Sequence, residues 1–226
     1  MDLSEGFAAY EQARLPFAKS AFKAIRTRLA KAEVQFGPVT HRFHDARITS
    51  LDALRAWKTA QFAATGQVDV LDVAWVRALV EDLRSGARPD LNAQISSLFF
   101  GNRLVAVHLG LRTATTLHYW FPAYDPAVQE LSPGNLLLYR MAEAAAAEGV
   151  RQIHLGSGDY RYKLEFANCS WPMRRIVAQG GGMPGRLIAR GRGLLDGLER
   201  RLPPALAGKP GGALRRLDRH LAFKAL

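Results

Sequence analysis

Cysteine is almost absent: the 226-residue chain has one, Cys169. That excludes an internal disulfide and a cysteine-rich zinc site, and with them the disulfide-stapled secreted class. A reducing, cytoplasmic compartment is the expectation. Long apolar runs are missing too. No uncharged stretch reaches the roughly 18 residues that a membrane-spanning helix needs, because Arg112, Asp125 and Glu143 interrupt the candidates. The opening MDLSEGF carries acids where a signal peptide carries cations, so it does not read as a secretion signal. The patterns GxSxG, HExxH, GxxxxGKS/T and the Rossmann glycine fingerprint do not occur. Serine hydrolase, zincin, P-loop and ordinary dinucleotide chemistry thereby lose their usual support.

What is present is an ordinary globular composition, 48% hydrophobic and 23% charged, enough for one or two domains with a real core. The formal charge is +11, from 31 Lys and Arg against 20 Asp and Glu. Ten of those cations and three of the acids fall in residues 180–226, so +7 of the +11 lies there, with half of the twenty glycines. The glycine run 180–182 therefore marks a boundary between a folded domain, 1–179, and a basic glycine-spaced tail, 180–226. Leu and Arg alternate in that tail in two short stretches divided by Pro203-Pro204 and Gly211-Gly212, the pattern of amphipathic helices. Such a tail meets an anionic membrane surface, meets nucleic acid, or is a solvated extension. Few aromatics interleave with the arginines, which favours the membrane over nucleic acid and suggests a peripheral position at its inner face.

Hydrophobic periodicity predicts one or two helices over 5–31, bent near Pro16, then an extended segment 34–43. Ser50 is the expected cap of a helix over 51–64, and a further helix begins at Asp72 and ends at Gly86. The period then changes. Segments 94–100, 103–112 and 115–121 read as antiparallel strands joined at Gly101-Asn102 and Thr113-Ala114. A two-residue loop at Thr113-Ala114 would set His108 opposite Tyr119 and Leu109 opposite His118. Ser132, Pro133 and Gly149 bracket a strongly signalled helix over 136–148. A strand over 152–156, a turn over 157–159, a helical segment over 160–167 and a last strand over 171–179 complete an α+β layout with mixed pairing.

Several residue groups could carry chemistry. The turn Ser132-Pro133-Gly134-Asn135 offers backbone N–H groups at a helix start, with Gly134 letting a ligand approach, as diphosphates are held; the alternative is simply a well-capped helix. Segment 154–163, HLGSGDYRYK, is the richest in reactive groups, and Gly156 and Gly158 permit a sharp turn that exposes Asp159, Tyr160, Tyr162 and Lys163. There Lys163 would stabilise an oxyanion or bind an anion while Asp159 orients it or accepts a proton; the alternative is a loop salt bridge with packed tyrosines. His108, in a central strand, is the candidate base among six histidines, whereas His118 and His154 read as hydrogen-bonded strand residues and His220 lies in the tail. His41 and His44 would face opposite sides of an extended segment, so no metal site is expected. No histidine stands near Cys169 in sequence to activate it.

Four blocks, LVAVHL (104–109), YWFPAYD (119–125), LSPGNLLL (131–138) and GSGDYRYK (156–163), resemble in order and spacing the GNAT-type acetyltransferases named after the cellulose-biosynthesis protein CelD, also called BcsL. The resemblance extends to about Gln179. It implies a GNAT-like (acyl-CoA N-acyltransferase) α+β fold, a mixed, mostly antiparallel sheet flanked by helices and split by a V-shaped opening. The donor thioester, from acetyl-CoA or another acyl-CoA, would lie between two parallel strands. By the same resemblance strand 103–111, through Val107 and Leu109, lines the pantetheine arm, and Ser132, Gly134, Asn135 and Leu136 receive the pyrophosphate. The usual GNAT phosphate loop has Gln or Arg, two residues, Gly, one residue, then Gly or Ala; here Gly134 is kept and Leu131 stands first. His108 or Asp159 would act as base and Lys163, beside Tyr162, would stabilise the oxyanion, with no metal and no covalent intermediate. The acceptor would be an amine or hydroxyl of a polysaccharide or cell-envelope precursor, in exopolysaccharide or cellulose biosynthesis. The group is similar to Fem-type peptidyltransferases, which share an aromatic-Lys pair and use aminoacyl-tRNA, so tRNA is the alternative donor and a non-catalytic accessory role in an exopolysaccharide system a further reading. Members usually carry a second, amino-terminal GNAT-like half, so a dimer or a second subunit supplying it is expected.

Overall fold

The computed structural model describes residues 1–86, 88, 90–158, 160–172 and 197. Five strands lie in the order β1-β2-β3-β4-β5, all neighbours antiparallel except β4 and β5, which are parallel. Helix α1 (Phe7–Phe36) buries Tyr10, Phe22, Ile25 and Leu29 at helical spacing. Pro16 lies inside it and non-helical angles follow at Ala18 (φ −131°, ψ 25°), as expected where a ring removes one N–H and crowds the preceding turn. The helix continues beyond the predicted 31 to Phe36, so the expected extended segment shrinks to β1 (Val39–Arg42) after Gly37, whose φ of 89° ends the helix.

Helix α2 (Ile48–Thr65) starts two residues before Ser50, which is therefore not its cap: the Ser50 hydroxyl donates to Asp45 Oδ2 at 2.6 Å. A 3-10 turn, Val70–Asp72, capped by the Asp69 carboxylate, precedes α3 (Ala74–Arg84). Strands β2 (Asn92–Phe100), β3 (Arg103–Arg112) and β4 (Thr116–Tyr124) form the predicted meander. A 3-10 turn Pro126–Leu131, helix α4 (Pro133–Ala147), β5 (Gln152–His154) and α5 (Arg161–Phe166) follow. The expected strand 171–179 lies outside the described residues beyond Pro172, as does the tail apart from Gly197.

The predicted β3–β4 register does not hold. Arg112 pairs with Leu117 across a longer loop closed by Thr113 N–H to Thr116 O at 2.9 Å, and Leu111 pairs with His118. Leu109 pairs with Phe121 and His108 with Pro122, so Tyr119 and Trp120 together stand opposite the single residue Gly110. That is a β-bulge in β4, invisible to an alternation count.

Helices cover both faces of the sheet. On one, Phe22, Leu117, Leu136, Leu137, Leu138, Ile153 and Phe166 pack under α1 and α4; on the other, Leu51, Leu54, Val76, Val80, Ile95, Val107 and Leu109 pack under α2 and α3. Each fully buried leucine contributes about 1.5–3 kcal/mol of transfer free energy. The layers thus hold α4 against the sheet and present its N-terminus near the last residues of β4.

Candidate active site

Strand β4 pairs with β5 only over Thr116–Gln152, Leu117–Ile153 and His118–His154. Strand β5 ends at that rung, and among the described residues nothing pairs with the β5-facing edge of β4 from Tyr119 to Tyr124. The bulge at Tyr119-Trp120 sits at this apex. Its space is filled by the His108 imidazole, which stacks on Tyr119 (centroids 4.5 Å apart, planes at 9°) and whose Nε2 accepts the Trp120 N–H at 3.3 Å. A side chain at Gly110 would strike that ring, with Cε1 only 2.4 Å from an added Cβ. His108 has 0% exposure, and burial pushes its pKa down to about 3. It is a neutral packing group with one ring nitrogen occupied and the other, Nδ1, buried without a partner, and it does not meet a dissolved substrate.

At the other end of the free edge, the Tyr124 ring lies against Gly134 in the first turn of α4. Ser132 precedes that turn with φ 51° and ψ 53°, and no side chain caps the helix. Into the space before it opens a cavity of about 340 Å³ whose lining includes Arg28 of α1, Ser132, Asn135, and Arg161, Tyr162 and Glu165 of α5. An uncapped helix N-terminus and two guanidiniums make an anion-attracting mouth. Arg161 is highly exposed and its Nε donates to Glu165 at 2.8 Å, an i,i+4 pair that an incoming phosphate can share. Asn135 lines this mouth and Gly134 lies in the turn behind it, whereas the Leu136 side chain is wholly buried and offers only its backbone.

Tyr162 links the two ends. Its ring is 6.4 Å from Tyr119 and 6.3 Å from Tyr160, so an aromatic row runs from His108 outward to the surface. Burial and then the neighbouring Tyr160 raise the Tyr162 pKa, so its hydroxyl keeps its proton. Lys163, only 9% exposed, donates from Nζ to Ser157 O at 2.5 Å and lies 5.3 Å from the Tyr160 ring centroid. It braces the turn through Gly156 and Gly158 as well as bringing a positive charge to the apex. Asp159 lies outside the described residues.

Val107 and Leu109 are placed elsewhere. Both are fully buried under α2, and β3 is hydrogen-bonded on one side to β2 and on the other to β4, so its backbone is not free for a ligand. Three residues that composition and spacing did not single out join the site: Arg28, Arg161 and His118. Arg28 looked like one cation among several on α1, and Arg161 was hidden beside the more conspicuous Tyr162-Lys163. His118 looked like an ordinary strand histidine, yet it is half-buried at the apex, where burial, then His154, then Lys163 lower its pKa.

An acetyltransferase (GNAT) domain model matches residues 19–164, from α1 to α5. The chain belongs to the GNAT acetyltransferase family. Among solved structures it is similar to a GNAT family acetyltransferase of Staphylococcus aureus subsp. aureus USA300_TCH1516, with 10% identity over 62% of this chain and 98% of that one and a TM-score of 0.41. No curated protein matches the sequence. As a GNAT protein the chain is an acyltransferase, its α+β fold with a mixed five-stranded sheet is that of the family, and GNAT acetyltransferases use acyl-CoA. No helix among the described residues is long and apolar enough to cross a membrane, and none of their His, Cys, Asp and Glu side chains form a group of three or more able to hold a metal.

Proposed function

We propose that the chain transfers an acetyl or related acyl group from acyl-CoA to an amine or hydroxyl of a polysaccharide or cell-envelope precursor, as a CelD/BcsL-like member of the GNAT family. The observation that carries the donor half is the uncapped α4 N-terminus opening onto the Arg28–Arg161 cavity at the end of the unpaired β4 edge. The pyrophosphate takes the Ser132-Pro133-Gly134-Asn135 turn with Arg28 and Arg161 beside it. The pantetheine amides pair with the free edge of β4, which replaces β3 in this role because β3 has no edge left. The thioester then reaches the apex, where the acceptor attacks the carbonyl carbon, the C–S bond breaks and CoA leaves as a thiol. Lys163 lends positive charge to the oxyanion, and Tyr162, which holds its proton, is the candidate donor to the departing sulfur. Transfer is direct, with the reactants held in place by the site.

Support for the acceptor comes from the resemblance of the four sequence blocks to the CelD/BcsL group. The basic tail supports work at an anionic membrane surface, where envelope precursors are assembled. The decisive experiment is calorimetric titration with acetyl-CoA and with free CoA, on wild type and on Gly134→Glu. Wild type is expected to bind both saturably. The variant puts a carboxylate in the first turn of α4, where it suits the helix dipole but repels phosphate, so binding is expected to weaken at least about tenfold while the melting temperature holds or rises. No binding to wild type, or equal binding to both proteins, overturns this donor site.

A further inference from the structure

The last rung between β4 and β5 carries a histidine on each strand, His118 and His154. Leu117 and Ile153, one residue back, are wholly buried under α4, so His118 and His154 lie on the opposite face of the sheet. On that face His118 is half-buried and His154 exposed. From Tyr124, which touches Gly134, six residue steps lead back along β4 to His118. At about 3.3 Å per step that is about 20 Å, the reach of an extended phosphopantetheine arm. A donor whose phosphates sit at α4 and whose amides follow β4 ends with its thioester beside the His118 ring.

We propose that His118 takes the proton from the acceptor's amine or hydroxyl, and that the acceptor reaches the thioester from the sheet face bearing His118 and His154. The acceptor's lone pair forms the new bond to the carbonyl carbon as the proton passes to a ring nitrogen of His118. The tetrahedral intermediate collapses with loss of the C–S bond, the thiolate takes a proton from Tyr162, and the proton held by His118 passes to water as Tyr162 recovers one from water, so no proton or electron pair is left over. The His118 environment suits this. Burial, His154 and Lys163 all disfavour its charged form, so it rests as the neutral imidazole that can accept a proton. His108, three rungs away on β3, is sealed and already receives a backbone N–H, so it cannot take the part.

The inference rests on the donor reading and is tested without knowing the acceptor. Bromoacetyl-CoA puts an electrophilic carbon next to the thioester carbonyl, and a neutral imidazole there displaces bromide and is alkylated. The full chain is incubated with bromoacetyl-CoA, with and without excess free CoA, and the modified residue is mapped by peptide mass spectrometry. Expected is CoA-protected labelling at His118, reduced at least about tenfold in His118→Gln and unchanged in His154→Gln, with calorimetric CoA affinity equal in all three proteins. Saturable CoA binding with protected label on His154, on Lys163, elsewhere or nowhere overturns the His118 assignment and leaves the donor site standing. Absence of CoA binding removes the donor site and this inference with it.

Discussion

The His108 ring shows what burial does to a residue of catalytic type. It is held by Tyr119 and Trp120, has no exposure, and stays neutral until pH falls to about 3, whereas an unfolded histidine takes a proton near 6.5. The unfolded chain therefore gains protons that the folded chain refuses, so His108 contributes stability above pH 6.5 that is lost as pH falls below it. His41, lowered by burial and then by Arg140 to about 4, acts in the same direction. The carboxylates of Glu148 and Asp45, held low in the folded state, add their own loss only below their ordinary values of 4.5 and 3.8. Between 6.5 and 4.5 these carboxylates therefore add nothing to the decline, which comes from groups that burial keeps uncharged, His108 and His41 among them. Urea unfolding is expected to show a loss of about 2 kcal/mol from His108 on going from about pH 7 to about pH 5. A stability that stays flat over that interval would contradict the buried neutral ring. Residue type alone could nominate His108 as a base, but not reveal its burial; the same limit hid His118, whose proposed role depends on its standing at the last pair between its own strand and β5, a partner distant in sequence.

Elements differ in how openly the sequence declares them. Helix α4 was legible from local signals, Pro133 in its first turn and Gly149 just past its end, but Ser132, a candidate cap by sequence, makes no side-chain capping bond, because it adopts left-handed angles (φ 51°, ψ 53°) rather than the extended ones a cap needs. The register of β3 on β4 was not, since it depends on a loop two residues longer than expected and on a bulge that sets Tyr119 and Trp120 against Gly110. Ser50 misled for a related reason: its hydroxyl is taken by Asp45, a residue outside the helix it was expected to cap. The bulge also exposes a dependence on glycine. A Cβ at position 110 would lie 2.4 Å from His108 Cε1 and 2.5 Å from the His118 carbonyl oxygen, and neither the buried ring nor the backbone can yield freely. Gly110→Ala is expected to cost about 1–3 kcal/mol in urea unfolding, the range of overpacked cores. It should also weaken CoA binding if the donor lies where we propose, because the strain falls on β4, the strand proposed to carry the pantetheine. A variant with the wild-type unfolding midpoint would mean that the His108 ring does not occupy the bulge.

For the whole molecule, the order of helices, meander, helix, strand and helix was readable because each change of hydrophobic period is a local event. The unpaired edge of β4 beyond β5 was not legible locally, since it depends on where a distant strand ends, and the cavity between α1, α4 and α5 joins Arg28 to Arg161 across 133 positions of sequence. All residues lining that cavity lie between Ser20 and Glu165, whereas residues 180–226 hold +7 of the +11 formal charge. The proposed donor site and the proposed attraction to an anionic surface thus fall in different parts of the chain. A protein ending at Gln179 is expected to bind acetyl-CoA as the full chain does, and to lose most of its cosedimentation with vesicles rich in phosphatidylglycerol. For the full chain that association should weaken steeply between about 50 and 200 mM salt, as the Debye length shrinks from roughly 14 to 7 Å. The competing site is α1 itself, which carries six Lys and Arg and no acid over residues 12–32, with Phe17 79% exposed beside Arg14. If the shortened protein still sediments with anionic vesicles, the attraction belongs to α1 and the tail has another role. If it neither sediments nor binds acetyl-CoA, the division at residues 180–182 is wrong and the basic segment is part of the enzyme.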